Sequence, residues 1–277
     1  MDWKKTKNQI ILILLILNLS LLGLYLKKEK DLSPYKNPLA TIEKLEKKLD
    51  QKGIKLETEI PTKQVKEKPL IVKYQEENIK TINDKYFQGT GDIKVRENIS
   101  TITKDQEEIT IINNRRFLYE NYKKENTKEE NTKEKALAFL EDKQIDTSDM
   151  VLAKITKDKD ATTYEYLKTY KDKILETSYL RLTLEGGTVT KMDSLWIEVI
   201  QEEKDKIQIE PAYKAMFALT DTNDYKGKTI EEIKDCYYFN PEEQGLLEDN
   251  TKAEQGRAIP AWRIKFTDGT IKILDNF

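Results

Sequence analysis

Residues 178–199, SYLRLTLEGGTVTKMDSLWIEV, decide the fold class. Leu180, Leu182 and Leu184 alternate with Arg181 and Thr183, so an extended segment here has one apolar face. Gly186-Gly187 follows, and two glycines accept the positive φ that a tight hairpin turn demands. Two such runs around that turn predict an antiparallel hairpin, Ser178–Leu184 against Val189–Val199.

The same period-2 signal recurs on both sides. Toward the N-terminus, Met150–Thr156 and Thr162–Tyr170 alternate, as does Ile93–Asn114 (IKVRENISTITKDQEEITIINN) with a turn near Lys104-Asp105. Lys55–Ile60, Leu70–Tyr74 and Arg116–Tyr122 read as further strands, the first two divided by Pro61 and Pro69. Toward the C-terminus the strands are Ile230–Phe239, Ile259–Phe266 and Thr270–Leu274, with Asp268-Gly269 as a second hairpin turn. Helical spacing marks three other stretches. Ile42, Leu45 and Leu49 form a stripe within Leu39–Lys52, closed by Gly53. Residues 132–144 start at Thr132, a good N-cap, and bring Ala136, Leu137, Phe139 and Leu140 toward a core. Pro211 opens a third helix through Leu219.

Between Arg116–Tyr122 and the second helix the string ENTKE occurs twice in tandem, at 125–129 and 130–134, with nothing apolar in it. Such a stretch reads as a solvated connection. The expected fold class is therefore α+β. Antiparallel sheets, each packed by helices, are expected in two subdomains, residues 39–124 and 131–277.

The N-terminus carries a different signal. From Ile10 to Leu26 only Asn18, Ser20 and Gly23 interrupt an apolar run, and Lys residues flank both sides. Seventeen helical residues extend about 25 Å, enough to cross a hydrocarbon core of roughly 30 Å with slight thinning and lysine snorkelling. The run ends without an Ala-x-Ala-like cleavage site and no Cys follows it, so an uncleaved anchor is expected in place of a signal peptide or lipoprotein leader. The expected layout is a cytoplasmic tail, 1–9, a transmembrane helix, 10–26, a linker, 27–38, and a large extracytoplasmic domain in a cell membrane. Asn18 lies at the middle of the span, where a side-chain amide gains from a hydrogen-bonding partner helix. It shares a helical face with Ile11, Leu14, Leu22 and Tyr25; Ser20 and Gly23 form a small-residue contact on the other side with Ile16. Asn18, Ser20, Gly23 and Tyr25 are thus the candidate contacts with partner helices.

Composition narrows the chemistry. Net charge is −2, and the remainder is more acidic once the basic first nine residues are set aside. With only six Arg there is no basic footprint for nucleic acid. There is no His, which excludes Ser-His-Asp and Cys-His nucleophile systems and a phospho-accepting His. The single Cys, Cys236, cannot form an intramolecular disulfide and reads as a small buried hydrophobe. Walker, Gly-x-Gly-x-x-Gly and Gly-x-Ser-x-Gly patterns are missing. The pairs Glu202-Glu203, Glu231-Glu232 and Glu242-Glu243 sit among Lys and read as solvated surface. Asp221–Gly227 resembles a calcium loop but lacks the closing Glu. No catalytic residue, metal site or cofactor is expected. Tyr164, Tyr166 and Tyr170 share a strand face; packing is the plain reading, and a groove built from Tyr164, Tyr166 and Trp196 is the candidate extracytoplasmic contact for a peptide or glycan.

The opening Met1-Asp2-Trp3-Lys4-Lys5-Thr6-Lys7, running into an Ile/Leu span that contains Asn18, resembles the start of the YycI family. Pro260-Ala261-Trp262-Arg263-Ile264, followed by Asp268-Gly269, is similar to the closing strands of YycH/YycI domains and PepSY-like modules. Cys236-Tyr237-Tyr238 departs from the family pattern, which has a small residue before the aromatic pair. The resemblance implies a non-enzymatic, membrane-anchored regulator of a WalK/YycG-like sensor histidine kinase, acting through the span together with a YycH-like partner. The alternative is an extracytoplasmic binding module or a PepSY-like protease inhibitor at the cell wall.

Overall fold

The computed structural model describes residues 13–23, 38–123, 129–240 and 255–275. Residues 13–23 form a helix, α1. Its large apolar side chains, from Ile13 to Leu22, are each more than half exposed. Among the described residues no helix is long and apolar enough to cross a membrane. The expected span 10–26 extends past both ends of α1; its outer residues, the tail 1–9 and the linker as far as residue 37 lie outside the described residues.

Helix α2 (Pro38–Gln51) buries Leu45 and Leu49 of the expected stripe together with Thr41, while Ile42 is half-buried against the same core, and Gly53 turns the chain at φ 72°. Strands β1 (Lys55–Leu56), β2 (Lys66–Glu67) and β3 (Leu70–Tyr74) follow. Helix α3 (Ile79–Phe87) precedes a meander of β4 (Asp92–Arg96), β5 (Ile99–Lys104), β6 (Glu107–Ile112) and β7 (Arg116–Asn121). Helix α4 (Lys133–Asp142), capped by Thr132, precedes a second meander of β8 (Met150–Asp158), β9 (Ala161–Tyr170), β10 (Lys173–Glu185) and β11 (Thr188–Leu195). Strands β12 (Ile197–Glu202) and β13 (Ile207–Gln208) lead to α5 (Ala212–Ala215), which tightens into a 3-10 turn, Met216–Thr220. Strands β14 (Thr229–Tyr238), β15 (Gly256–Phe266) and β16 (Ile271–Leu274) close the fold. The deciding hairpin, β10–β11, turns at Gly186 and Gly187, with φ 54° and 78°.

The α+β class holds, with few helices on a large, mainly antiparallel sheet. The helices do not pack separate sheets, however. Fourteen strands form one sheet in the order β12-β3-β15-β14-β10-β11-β7-β6-β5-β4, with β1 on β14, β16 on β15 and β8-β9 on β10. The β10–β14 and β1–β14 pairings are parallel and two residues long. Burial divides the molecule into lobes along lines other than 39–124 and 131–277. In the first lobe α3 and α4 cover β5–β7 and β9–β11. In the second, α2 and α5 lie on β14–β16 and β1. A third cluster, with Leu70, Val72, Leu175, Ile197, Tyr237 and Phe239, joins them. The ENTKE connection leads from β7 to α4, which share one core, so the boundary expected there lies inside the first lobe. The reason is β7 pairing with β11 from Arg116↔Leu195 to Glu120↔Lys191, which welds the two meanders edge to edge.

The expected strand Val189–Val199 is broken at Trp196. Up to Leu195 the chain pairs with β7 and β10; from Ile197 it pairs with β3. Two bonds hold the switch: Ile197 N–H donates to the buried Ser178 hydroxyl (3.1 Å), and Gln75 N–H donates to the Trp196 carbonyl (2.8 Å). The partner change leaves Trp196 between two sheet regions.

Candidate functional site

In the first lobe a row of cross-strand neighbours runs Tyr166, Leu180, Ser194, Phe117, Ile111 over β9, β10, β11, β7 and β6. Directly opposed residues point to the same face of a sheet, here the face that α3 and α4 cover. Ser194 is a small side chain between Leu180 and Phe117, and the sheet surface dips there. The dip opens into a cavity of about 370 Å³. Leu180, Phe117 and Met192 form its floor, Ile82 and Tyr86 of α3 one wall, and Ile145 and Met150 the other. Gln75, Glu77, Lys85, Asp149, Lys168 and Trp196 stand around the rim.

Local sequence positions each wall. Asn78 caps α3, its side-chain oxygen accepting from Lys80 N (3.0 Å) and Thr81 N (3.3 Å). That fixes Ile82 and Tyr86 one turn apart over the sheet. The Tyr86 ring lies 5.3 Å from Phe117 and 5.9 Å from Tyr119, and Tyr119 is 5.5 Å from Phe139 of α4. This aromatic chain holds both helices at a set height above the floor. On the other side Lys85 donates to the Gln144 carbonyl (3.3 Å), tying α3 to the loop that carries Asp146 and Asp149.

The rim is charged but sheltered. Burial pushes the Glu77 carboxyl above its ordinary value, against the pull of Lys85. Burial lowers Lys85, and Glu77 opposes that shift. Glu77 accepts a hydrogen bond from Gln75 Nε2 (3.1 Å). Lys168 is almost wholly buried, pairs with the Asp149 carboxylate, and holds its ammonium 5.2 Å from the Trp196 ring centroid. Among the described residues no group of three or more His, Cys, Asp or Glu side chains could hold a metal ion. Desolvated charges over an apolar floor suit binding of a small amphipathic molecule.

The expected aromatic groove does not form. Tyr164 and Tyr166 point inward, 5 % and 3 % exposed, under α3 and α4. Tyr164 donates to the Asn131 carbonyl (2.7 Å), and the Tyr166 hydroxyl is buried with no hydrogen-bond partner. Tyr170 lies apart from them, half-buried with its ring 6.2 Å from Tyr237, so of the expected groove residues Trp196 alone lines the cavity. Asn18, Ser20 and Gly23 lie on exposed positions of α1, and a Cβ on Gly23 would meet nothing within 4 Å. Tyr25 lies outside the described residues. Cys236 is buried, and burial drives its thiol pKa up, as suits a packing residue. Glu202 and Glu203 serve the surface, Glu203 taking a two-pronged bond from Arg257 (2.6 and 2.8 Å) and Glu202 pairing with Lys171, whereas Glu231 pairs with Lys265 and Glu232 accepts from the buried Arg263. Glu242-Glu243 lie outside the described residues. The cavity residues Glu77, Lys85 and Lys168 carried no motif; Asn78 before Ile79, Ile82 and Tyr86 was the one readable signal, an N-cap with helical spacing.

The sequence of this domain matches the YycI protein family model over residues 35–276. The chain belongs to the YycI family. YycI proteins are regulatory, non-catalytic and membrane-associated, and belong to the YycG/WalK pathway. Two solved structures share the YycI-family fold seen here. One is an uncharacterized protein from Eubacterium rectale, with TM-score 0.52 at 12% identity, covering 84% of this chain and 94% of that one. The other is YycH from Bacillus subtilis, with TM-score 0.50 at 14% identity, covering 78% of this chain and 53% of that one. This chain therefore spans about half of the YycH chain it resembles. At these identities the likeness concerns the fold alone. None of the curated proteins matches the chain.

Proposed function

We propose that this chain is a single-pass membrane protein that modulates a WalK/YycG-like sensor histidine kinase through contacts of its residues 10–26, in company with a YycH-like regulator. Its tail is cytoplasmic and its large domain extracytoplasmic. The observation that carries the reading is the family match over 35–276 behind an exposed Ile/Leu helix. Exposed apolar surface of that extent calls for lipid or another helix. An amide at the centre of such a surface is costly beside lipid and useful beside a partner. Asn18, Ser20, Gly23 and Tyr25 are the contacts assigned to it.

The test is Asn18→Leu in the full chain, read by a kinase-dependent reporter at matched protein level. Output is expected to shift, because a bilayer-centre side-chain hydrogen bond is worth about 0.6–2 kcal/mol, a factor of roughly 3–30 in a helix-pairing equilibrium. If an unrelated span of equal length restores full regulation, residues 10–26 are only a tether and the reading falls. A second reading, an extracytoplasmic binding module, is favoured by the cavity beside Trp196.

A further inference from the structure

We propose that the cavity above Ser194 is a ligand site for a small dipolar molecule with an apolar side chain, of the class of a free amino acid or a dipeptide with both termini free. The walls set the apolar part. Leu180, Phe117, Met192, Ile82 and Ile145 line a space of about 370 Å³, at the small end of the ~300–1,000 Å³ typical of small-molecule sites. That volume suits one or two residues and excludes a folded segment.

The rim sets the charges. Asp146 faces solvent, where its carboxylate accepts from Ser148 N (2.9 Å). Glu198 pairs outward with Lys73 at 3.2 Å. Asp149 and Lys168 are taken up by each other. Glu77 and Lys85 remain to face a ligand, one of each sign. An anion would meet Glu77 as well as Lys85, and a cation would meet Lys85 as well as Glu77. A dipolar ligand alone finds a counter-charge for each of its ends. Its ammonium goes to Glu77, a sheltered carboxylate that accepts a side-chain hydrogen bond from Gln75, and its carboxylate to Lys85, which gives one donor to the Gln144 carbonyl and has two more. Charged hydrogen bonds formed away from water are the strong ones, so both termini contribute. Trp196 lines the cavity, so its ring reports occupancy. None of the residues lining the cavity belongs to residues 10–26, so the site does not depend on the kinase contact proposed above.

The test is calorimetric titration of the full chain in detergent micelles with three probes: L-leucine, L-leucyl-L-leucine, and N-acetyl-leucyl-leucine amide. Saturable binding of leucine or the free dipeptide is expected, accompanied by a change in tryptophan fluorescence that Trp196→Phe removes. The capped dipeptide is expected to bind at least about tenfold more weakly, the factor one lost charged hydrogen bond carries. Glu77→Gln, which keeps shape and hydrogen bonding, is expected to weaken the free dipeptide by a similar factor while its thermal unfolding stays that of the parent. Equal affinity for free and capped dipeptide overturns the charge assignment. No saturable heat from either free probe up to millimolar concentration overturns the site. Both results are independent of whether Asn18→Leu alters kinase output.

Discussion

Replacing Arg263 by methionine is expected to destabilise the fold by about 3–5 kcal/mol, measured by urea unfolding of the full chain in micelles. Arg263 of β15 is 3 % exposed. Its Nε donates to Glu176 Oε1 at 2.6 Å, and its Nη1 donates to Glu232 Oε1 at 3.2 Å. Glu232 is partly exposed and can turn to water. Glu176 cannot: it sits in β10 at the two-residue parallel bridge to β14, where Glu176 opposes Tyr238. Burial already raises the Glu176 carboxyl, and Arg263 is what pulls it back. Methionine keeps the stem's packing and removes the charge, which leaves a carboxylate buried alone. A carboxyl whose pKa is raised by folding holds its proton more tightly in the folded state. Folding is therefore favoured below that pKa and penalised as pH rises through it. The deficit of the variant is expected to shrink as pH falls toward glutamate's ordinary 4.5. Adding Glu176→Gln is expected to recover most of the loss at neutral pH. If the single and double variants are equally unstable, the pair is not what holds the bridge.

Phe239→Ala is the second large effect, about 3–5 kcal/mol by the same measurement. Phe239 is fully buried, with its ring 5.7 Å from Tyr74 of β3, in the cluster that joins the two lobes. Its carbonyl accepts from the Thr177 hydroxyl at 2.6 Å, at the bulge where β10 shifts register. Removing the ring opens a cavity at the joint, with β3 on one side and β10 on the other. Neither can close it, because β3 is pinned between β12 and β15 and β10 between β9 and β11. Phe239→Leu, which refills most of the volume, is expected to lose less than half as much. A loss under 1 kcal/mol for the alanine would mean that the joint collapses freely and the lobes are loosely coupled.

Much of this architecture is legible residue by residue. The alternation of Leu180, Leu182 and Leu184 before Gly186-Gly187 specifies strand, turn and buried face together. Thr132 and the Ile42–Leu45–Leu49 stripe specify helices for equally local reasons. Pairing is what the local pattern does not hold. Nothing in Arg116–Asn121 names Thr188–Leu195 as its neighbour, so two meanders read as two sheets although they form one. The same limit governs Tyr164 and Tyr166. Strand parity gives them a common face but not the α3 and α4 helices that cover it. It also hides the cavity, whose floor dips where the small Ser194 falls between Leu180 and Phe117 of two other strands. Trp196 was readable as a candidate; its place at a partner switch was not.

On the proposed reading, this YycI-family chain acts by holding a sensor kinase through its N-terminal helix. The direct measurement is co-purification from membranes, with a WalK/YycG-like kinase and a YycH-like partner present together, comparing the full chain with one whose residues 1–31 are exchanged for an unrelated anchor. The full chain is expected to retain the kinase and the exchanged chain to lose it, while both fold and reach the membrane. Equal retention of the kinase by the two would contradict the claim and move the contact to the large domain.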